Sequence, residues 1–354
     1  MGVYVGLDVS LKLTSVCVID EEGKVVWRGS CGTSVTTLAE VLNEHAPSAT
    51  RIGIESGSMT LFLWHGLRRH GFPVVCLDAR WAKKALSANP VKTDANDAEG
   101  LAQLVRVNWF NEVQVKSIES HRLRALLSSR EQLVRAKVSL TNQVRGLLRP
   151  FGLVVRPNQG QSFAERVAEL VAGDEILTVV TDTLVAAIAE LDKRIGVLEK
   201  QVRIQGQGIA EVRRFMTTPS IGPITALAFR AVIDDPARFA HSRDVGAYLG
   251  LTPRRYQSGE VDRDGGISKC GDGLLRHLLY ECANVLLTAV SGWSSLKAWG
   301  LRLMKKVGPK RARAAVAQQA GSDTSPHVGG RNRLPLRPTR RGSLRTSSIP
   351  SETI

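Results

Sequence analysis

The sequence predicts an α/β domain followed by a mostly helical half. Three observations carry that expectation. Short apolar runs alternate with helix-like segments over the first 80 residues. Leucine then returns at every seventh position between residues 117 and about 205. Residues 213 to about 316 read as a compact helical unit.

Taken in order, residues 3 to 28 read as strand, turn, strand, turn, strand: VYVGLDV, then TSVCVID, then the EEGK turn into VVWRG. Leu38 to Leu42 is helical in pattern, and RIGIES (51–56) is a short apolar strand. LFLWHGLRRHG forms a helix closed by Gly71, and PVVCLD (73–78) is a buried strand with helical material after it. Strand hairpins followed by alternating helices and strands make a mixed α/β layer fold. The stretch VKTDANDAEGLA (91–102) continues as a helix with Ala98, Leu101, Leu104 and Val105 on its apolar face.

Leu126, Leu133, Leu140 and Leu147 form one heptad series. Leu177, Leu184, Leu191 and Leu198 form another, joined by Ile188, Ile195 and Val202. Such repeats are the pattern of coiled coils. Pro150 and Pro157 interrupt them, which fits an antiparallel helical hairpin or a dimerising arm. Two ordinary amphipathic helices packed on the body are the alternative. TTPSIGPITALAFRAVI then has a glycine-containing turn entering a helix. It reads either as an element that offers backbone N–H groups to phosphates or as a plain packing unit. From about Gln318 the chain is rich in Ser, Arg, Pro and Gly without apolar periodicity, a disordered composition.

Composition narrows the function. The 354 residues carry a net charge of +15, which points to a polyanionic partner such as nucleic acid. Twelve Lys or Arg against Asp323 and Glu352 lie beyond Leu301, leaving about +5 for the rest. No apolar run is long enough to span a membrane, no leader pattern opens the chain, and a cytoplasmic setting is expected. Five scattered cysteines with no CxxC pair read as reduced thiols and argue against zinc.

The chemistry is expected in carboxylates. Asp8 lies in the first strand, Glu55 ends the strand RIGIES, and Asp94 and Asp97 share one helix face. An acid held in apolar surroundings is costly unless it is paired or binds a cation. Hard divalent ions such as Mg²⁺ take oxygen ligands and clamp a phosphoryl displacement. Singly, each acid reads as a turn contact or a solvated position, and the conjunction is what points to a metal centre. Asp20 and Asp78 precede turns and helix starts, where capping explains them.

GLDVS, IESGS and VKTDANDAEGLA together resemble the N-terminal domain of the one-ten insertion-sequence transposases of the DEDD type. SIGPITALAFRAVIDDPARFAHSRDVGAYLGLTPRRYQSGEVDRDGGISKCGDGLLRHLLYECA resembles that family's C-terminal domain, so the likeness covers about residues 1–316. It implies a RuvC-like, RNase H-type fold in which Asp8, Glu55, Asp94 and Asp97 bind Mg²⁺. It also implies that Ser258, in LTPRRYQSGE, attacks DNA and holds it covalently. On residue chemistry alone Ser258 before Gly259 reads as a turn residue, and Tyr256 is a rival nucleophile. Arg254, Arg255 and Lys269 are placed to stabilise phosphate charge, and Arg276 joins them as a nucleic-acid contact. The resemblance further implies a bridge RNA that pairs with donor and target DNA, and a dimer or tetramer whose protomers share the two centres.

The implied organisation is a metal-binding domain over 1–115, a helical coiled-coil arm over 116–210, a serine-bearing domain over 211–317 and a basic tail over 318–354. The tail departs from the family pattern as a frameshift would. Two other classes remain: a non-catalytic nucleic-acid-binding protein on the same scaffold, and an actin-like ATPase or kinase. The latter needs a glycine-rich phosphate loop where this chain has SLKLTS.

Overall fold

The computed structural model describes residues 2–87, 91–156, 160–259 and 261–323. The chain divides into two compact units, one ending at Ile118 and one beginning at Glu119. Pro157 and the tail beyond Asp323 lie outside the described residues.

In the first unit, β1 (Val3–Val9), β2 (Leu13–Ile19) and β3 (Val25–Gly32) form an antiparallel meander. Then follow α1 (Val35–His45), β4 (Ala49–Glu55), α2 (Thr60–Arg69), β5 (Val74–Leu77), α3 (Ala79–Leu86) and α4 (Asp94–Arg106). The sheet order is β3-β2-β1-β4-β5, with β4 parallel to β1 and to β5. Side chains alternate across a strand, so each face of the sheet has its own cover. On one face Val5, Leu7, Val16, Val18, Ile52 and Ile54 pack against Leu38, Leu42, Leu63 and Leu67 of α1 and α2. On the other, Cys17 and Ile19 meet Ala98 and Ala102 of α4. As expected, Asp78 caps α3 by accepting from the amides of Arg80 and Trp81, and Asp20 accepts from Lys24 in the β2–β3 turn.

One glycine sets the distance between sheet and helix. A Cβ at Gly6 would lie 1.9 Å from the Ala98 carbonyl oxygen and 2.5 Å from the Ala102 nitrogen. Helix α4 therefore rests on the β1 backbone, with Ala98 and Ala102 as its contact residues. Only a residue without a side chain fits beneath it.

The second unit holds α5 (Ile118–Leu148), α6 (Phe163–Val171) and α7 (Glu175–Gly208). Arg130 pairs with Glu199, and Lys137 pairs with Asp192. The ladder steps seven residues down α5 and seven back along α7, so the two helices run antiparallel. Leu140, Val144, Leu148, Leu177, Leu184 and Ile188 pack together with Val167 and Val171 of α6. The heptad residues are thus used in part within the chain. Helices α8 (Ala210–Phe215), α9 (Pro223–Ile233) and α10 (Ser242–Tyr248) follow. After them come the strands β6 (Pro253–Ser258) and β7 (Val261–Ile267), then α11 (Gly273–Thr288), α12 (Ser295–Val307) and α13 (Pro309–Asp323).

Eight of the eleven residues of α9 are buried, so packing is what this glycine-entered helix does. Two features differ from the sequence expectation. Strands β6 and β7 interrupt the helical half, and α13 continues past Gln318 with Ala320 in the core.

Candidate active site

The first locus is built by the sheet register. Leu7 of β1 stands opposite Ile54 of the parallel strand β4. One step further along, Asp8 comes beside Glu55. Both lie in alternation with the glycines Gly6 and Gly53, whose missing side chains face α4. Asp8 and Glu55 therefore occupy the α4 side of the sheet. The first turn of α4 carries Asp94 and Asp97. Thr93 caps that turn by accepting from the Asn96 amide at 3.2 Å, and acids in a first turn are favoured by the helix dipole.

The four acids share one electrostatic field. Burial pushes the Asp8 carboxyl above its usual range, and the charges of Asp94 and Asp97 push it further, against a smaller pull from Lys92. Glu55 is raised in the same way, first by burial, then by Asp8 and Asp97, with Lys92 opposing. Among the described residues, none of the four carboxylates has an ion-pair partner. Nor do any three His, Cys, Asp or Glu side chains stand close enough together to grip an ion as they are. The set is all oxygen, half-buried in part and uncompensated, which is the chemistry a hard divalent cation takes. Its spacing is wider than a closed cage. The neighbouring Cys76 thiol is pushed up to about 12 by burial and is inert at neutral pH.

An open recess of about 280 Å³ is lined by Ser15 of β2, Arg28 and Ser30 of β3, and Ala95 of α4. Asp8, Ser15 and Ser30 stand in one register across β1, β2 and β3, and Arg28 pairs with Glu99 of α4. Sequence reasoning missed these serines and Glu99. Only the strand pairing puts the two serines in line with Asp8.

The second locus is the β6–β7 ribbon. Ser258 ends β6 opposite Val261, next to Gly259 at φ 56°, and β6 is exposed, as are the described residues of β7 other than Ile267. Among the described residues nothing hydrogen-bonds the Ser258 hydroxyl. The expected arginines are engaged elsewhere. Arg255 donates through its Nε to Asp262 at 2.9 Å and through a second nitrogen at 2.5 Å, which holds the Asp262 carboxyl below its usual range. Arg254 donates to the Ser268 carbonyl at 3.2 Å. Arg276 donates to the carbonyls of Leu249 and Cys270 at 3.0 and 3.1 Å, so it braces the loop below the ribbon. Lys269 holds a left-handed backbone at φ 56°, and its amide donates to Gly250.

Two family descriptions match the chain. The DEDD-type IS110 transposase description matches residues 5–152, and the one named Transposase IS116/IS110/IS902 family matches residues 212–298. Each of the two loci lies inside one of these matches. The chain belongs to the IS110 family of transposases. The transposase for insertion sequence element IS1111A of Coxiella burnetii is 28% identical over 322 residues, covering 89% of this chain and 86% of that protein. A probable family 20 transposase of Pseudomonas aeruginosa is 29% identical over 293 residues, covering 80% and 83%. The transposase for IS1328 of Yersinia enterocolitica is 29% identical over 243 residues, covering 67% and 70%. Among this transposase's described residues, no helix is long and apolar enough to cross a membrane.

Proposed function

We propose that this chain cuts and rejoins DNA strands to move an insertion sequence. In this reading Asp8, Glu55, Asp94 and Asp97 would hold Mg²⁺, and Ser258 is the nucleophile. The observation that carries it is the register that sets Asp8 beside Glu55 beneath the acidic turn of α4, with no ion-pair partner among the described residues and only the smaller pull of Lys92 against their charge. The strand order β3-β2-β1-β4-β5 supports an RNase H or RuvC-like class for the first unit. Held by these four acids, such an ion would supply Lewis-acid stabilisation of the phosphoryl oxygens. The protein's own contribution is position. The sheet holds Asp8 and Glu55 at fixed height, Gly6 sets the level of α4, and burial raises the cost of leaving the acids without a partner.

At the second locus the Ser258 hydroxyl forms a bond to phosphorus while a deoxyribose oxygen departs. Arg254 and Lys269 flank the ribbon as phosphate contacts, and the braced Arg276 supports it. A bridge RNA supplies sequence choice by pairing, and a dimer or tetramer brings serine and acids of different protomers to one strand. The setting is cytoplasmic and nucleoid-associated.

The open spacing of the acids favours a second reading, a nucleic-acid-binding scaffold without catalysis. One experiment separates the two. Strand transfer is measured on DNA carrying the element's own ends, with the RNA of the flanking non-coding region, in Mg²⁺ and in EDTA. Metal-dependent transfer that vanishes in both Asp8→Ala and Ser258→Ala supports the enzyme. Equal DNA binding without transfer, in any metal, supports the scaffold.

A further inference from the structure

We propose that Arg263 positions the scissile phosphate for Ser258 and that Tyr256 serves as its platform rather than as a rival nucleophile. This rests on the reading of Ser258 as the nucleophile. Tyr256 stands directly opposite Arg263, and Ser258 opposite Val261. Side chains alternate along a strand, so Tyr256, Ser258, Val261 and Arg263 share one face of the ribbon. Arg255, Gln257 and Asp262 share the other, where Arg255 is already closed on Asp262. Of the arginines near the serine, the one on its face with its fork unclaimed is Arg263. Among the described residues it has no ion-pair partner.

Its guanidinium lies over the Tyr256 ring, 5.8 Å from the centroid. A cation held over an aromatic face is attracted to the ring, which biases a long side chain toward one direction. Arg263 is the diagonal neighbour of Ser258 across the pair. Such neighbours lie roughly 7–8 Å apart and are within reach of long side chains. A planar fork there meets two non-bridging oxygens of a phosphate bound at the serine. In the step, the Ser258 Oγ–P bond forms and the P–O bond to the departing sugar oxygen breaks. The serine proton passes to solvent and the departing oxygen takes one from solvent. Arg263 stays protonated and donates to the oxygens that gain charge.

The test uses the full chain with DNA of the element's ends and the flanking RNA, and it follows covalent protein–DNA adduct on denaturing gels. Arg263→Ala lowers the adduct rate at saturating DNA by about 100-fold, the usual cost of one donor to a developing oxyanion. Its half-saturating DNA concentration stays within about threefold. Arg263→Lys recovers part of the rate. Tyr256→Phe, which keeps the ring, exceeds Tyr256→Ala. Gln257→Ala, on the opposite face, stays near the native rate. A native rate for Arg263→Ala, or a Tyr256→Phe as inactive as Tyr256→Ala, overturns the proposal while Ser258→Ala remains adduct-free. Adduct formation by Ser258→Ala overturns instead the reading on which it rests.

Discussion

Gly6→Ala tests whether sheet-to-helix distance governs the acidic site. The added methyl would lie 1.9 Å from the Ala98 carbonyl oxygen, where ordinary contact begins at 3.4 Å. The obstacle is helix backbone, which has no rotamer to escape into, so α4 must retreat by about 1.5 Å. Overpacking of this kind costs about 3 kcal/mol, which lowers the melting temperature of a unit this size by about 10 °C. The functional effect is larger, because α4 carries Asp94 and Asp97. A displacement of about 1 Å at a reacting centre costs about 100-fold. The check is urea unfolding alongside Mg²⁺-dependent strand transfer. Gly53→Ala is the internal comparison, since its methyl meets the Val105 Cγ1 at 2.7 Å, a side chain rather than helix backbone. Gly53→Ala should therefore be the milder change in both measurements. Native stability and native activity in Gly6→Ala would show that the acids do not depend on where α4 rests.

Asp8 is held above its usual pKa, so the native state binds more protons than the unfolded chain, and metal-free stability falls as pH rises from the ordinary carboxylate range through the raised value. Asp8→Asn should melt above the native protein at neutral pH and lose that advantage below about pH 4, and Mg²⁺ should raise the native melting temperature alone. Ile188→Ala, in the seam between α5 and α7, should cost about 2–4 kcal/mol by urea titration, because the seam closes within the chain. Arg276→Ala should lower stability by about 1–2 kcal/mol while leaving the salt slope of DNA binding unchanged, since its donors serve carbonyls. Truncation after Ala317 removes Ala320 from the core and should lower the melting temperature.

The sheet was legible because its inner residues alternate or run apolar between turn residues. VYVGLDV, TSVCVID and RIGIES each read as one strand and each forms one. The four acids could be named, but not their arrangement. The parallel register that sets Asp8 beside Glu55 depends on pairing across 47 residues of chain, which no local pattern reports. The ribbon was missed for a physical reason. PRRYQS buries nothing on either face, so the apolar alternation that betrays a strand is absent. With the ribbon unseen, Arg263 could not be distinguished from Arg255, because which arginine faces Ser258 is decided by strand pairing and not by nearness in sequence. The heptads showed that helices would pack but left the partner open, and the ion pairs of Arg130 and Lys137 identify α7 of the same chain.

The two loci solve opposite problems. The acids are locked in a five-stranded sheet and a helix seated on a glycine, where movement is costly and, among the described residues, no ion pair offsets their charge. The serine sits at the end of an exposed two-stranded ribbon, where nothing among the described residues hydrogen-bonds its hydroxyl. A hydroxyl without a base is a weak nucleophile, and carboxylates without a cation repel each other. Each locus therefore gains most from something brought to it, an ion for the acids and an activated, charge-neutralised phosphate for the serine. On the proposed reading, cutting would wait until DNA, metal and serine came together, and the free protein would hold no competent site. That follows from the same features that make each locus electrostatically incomplete.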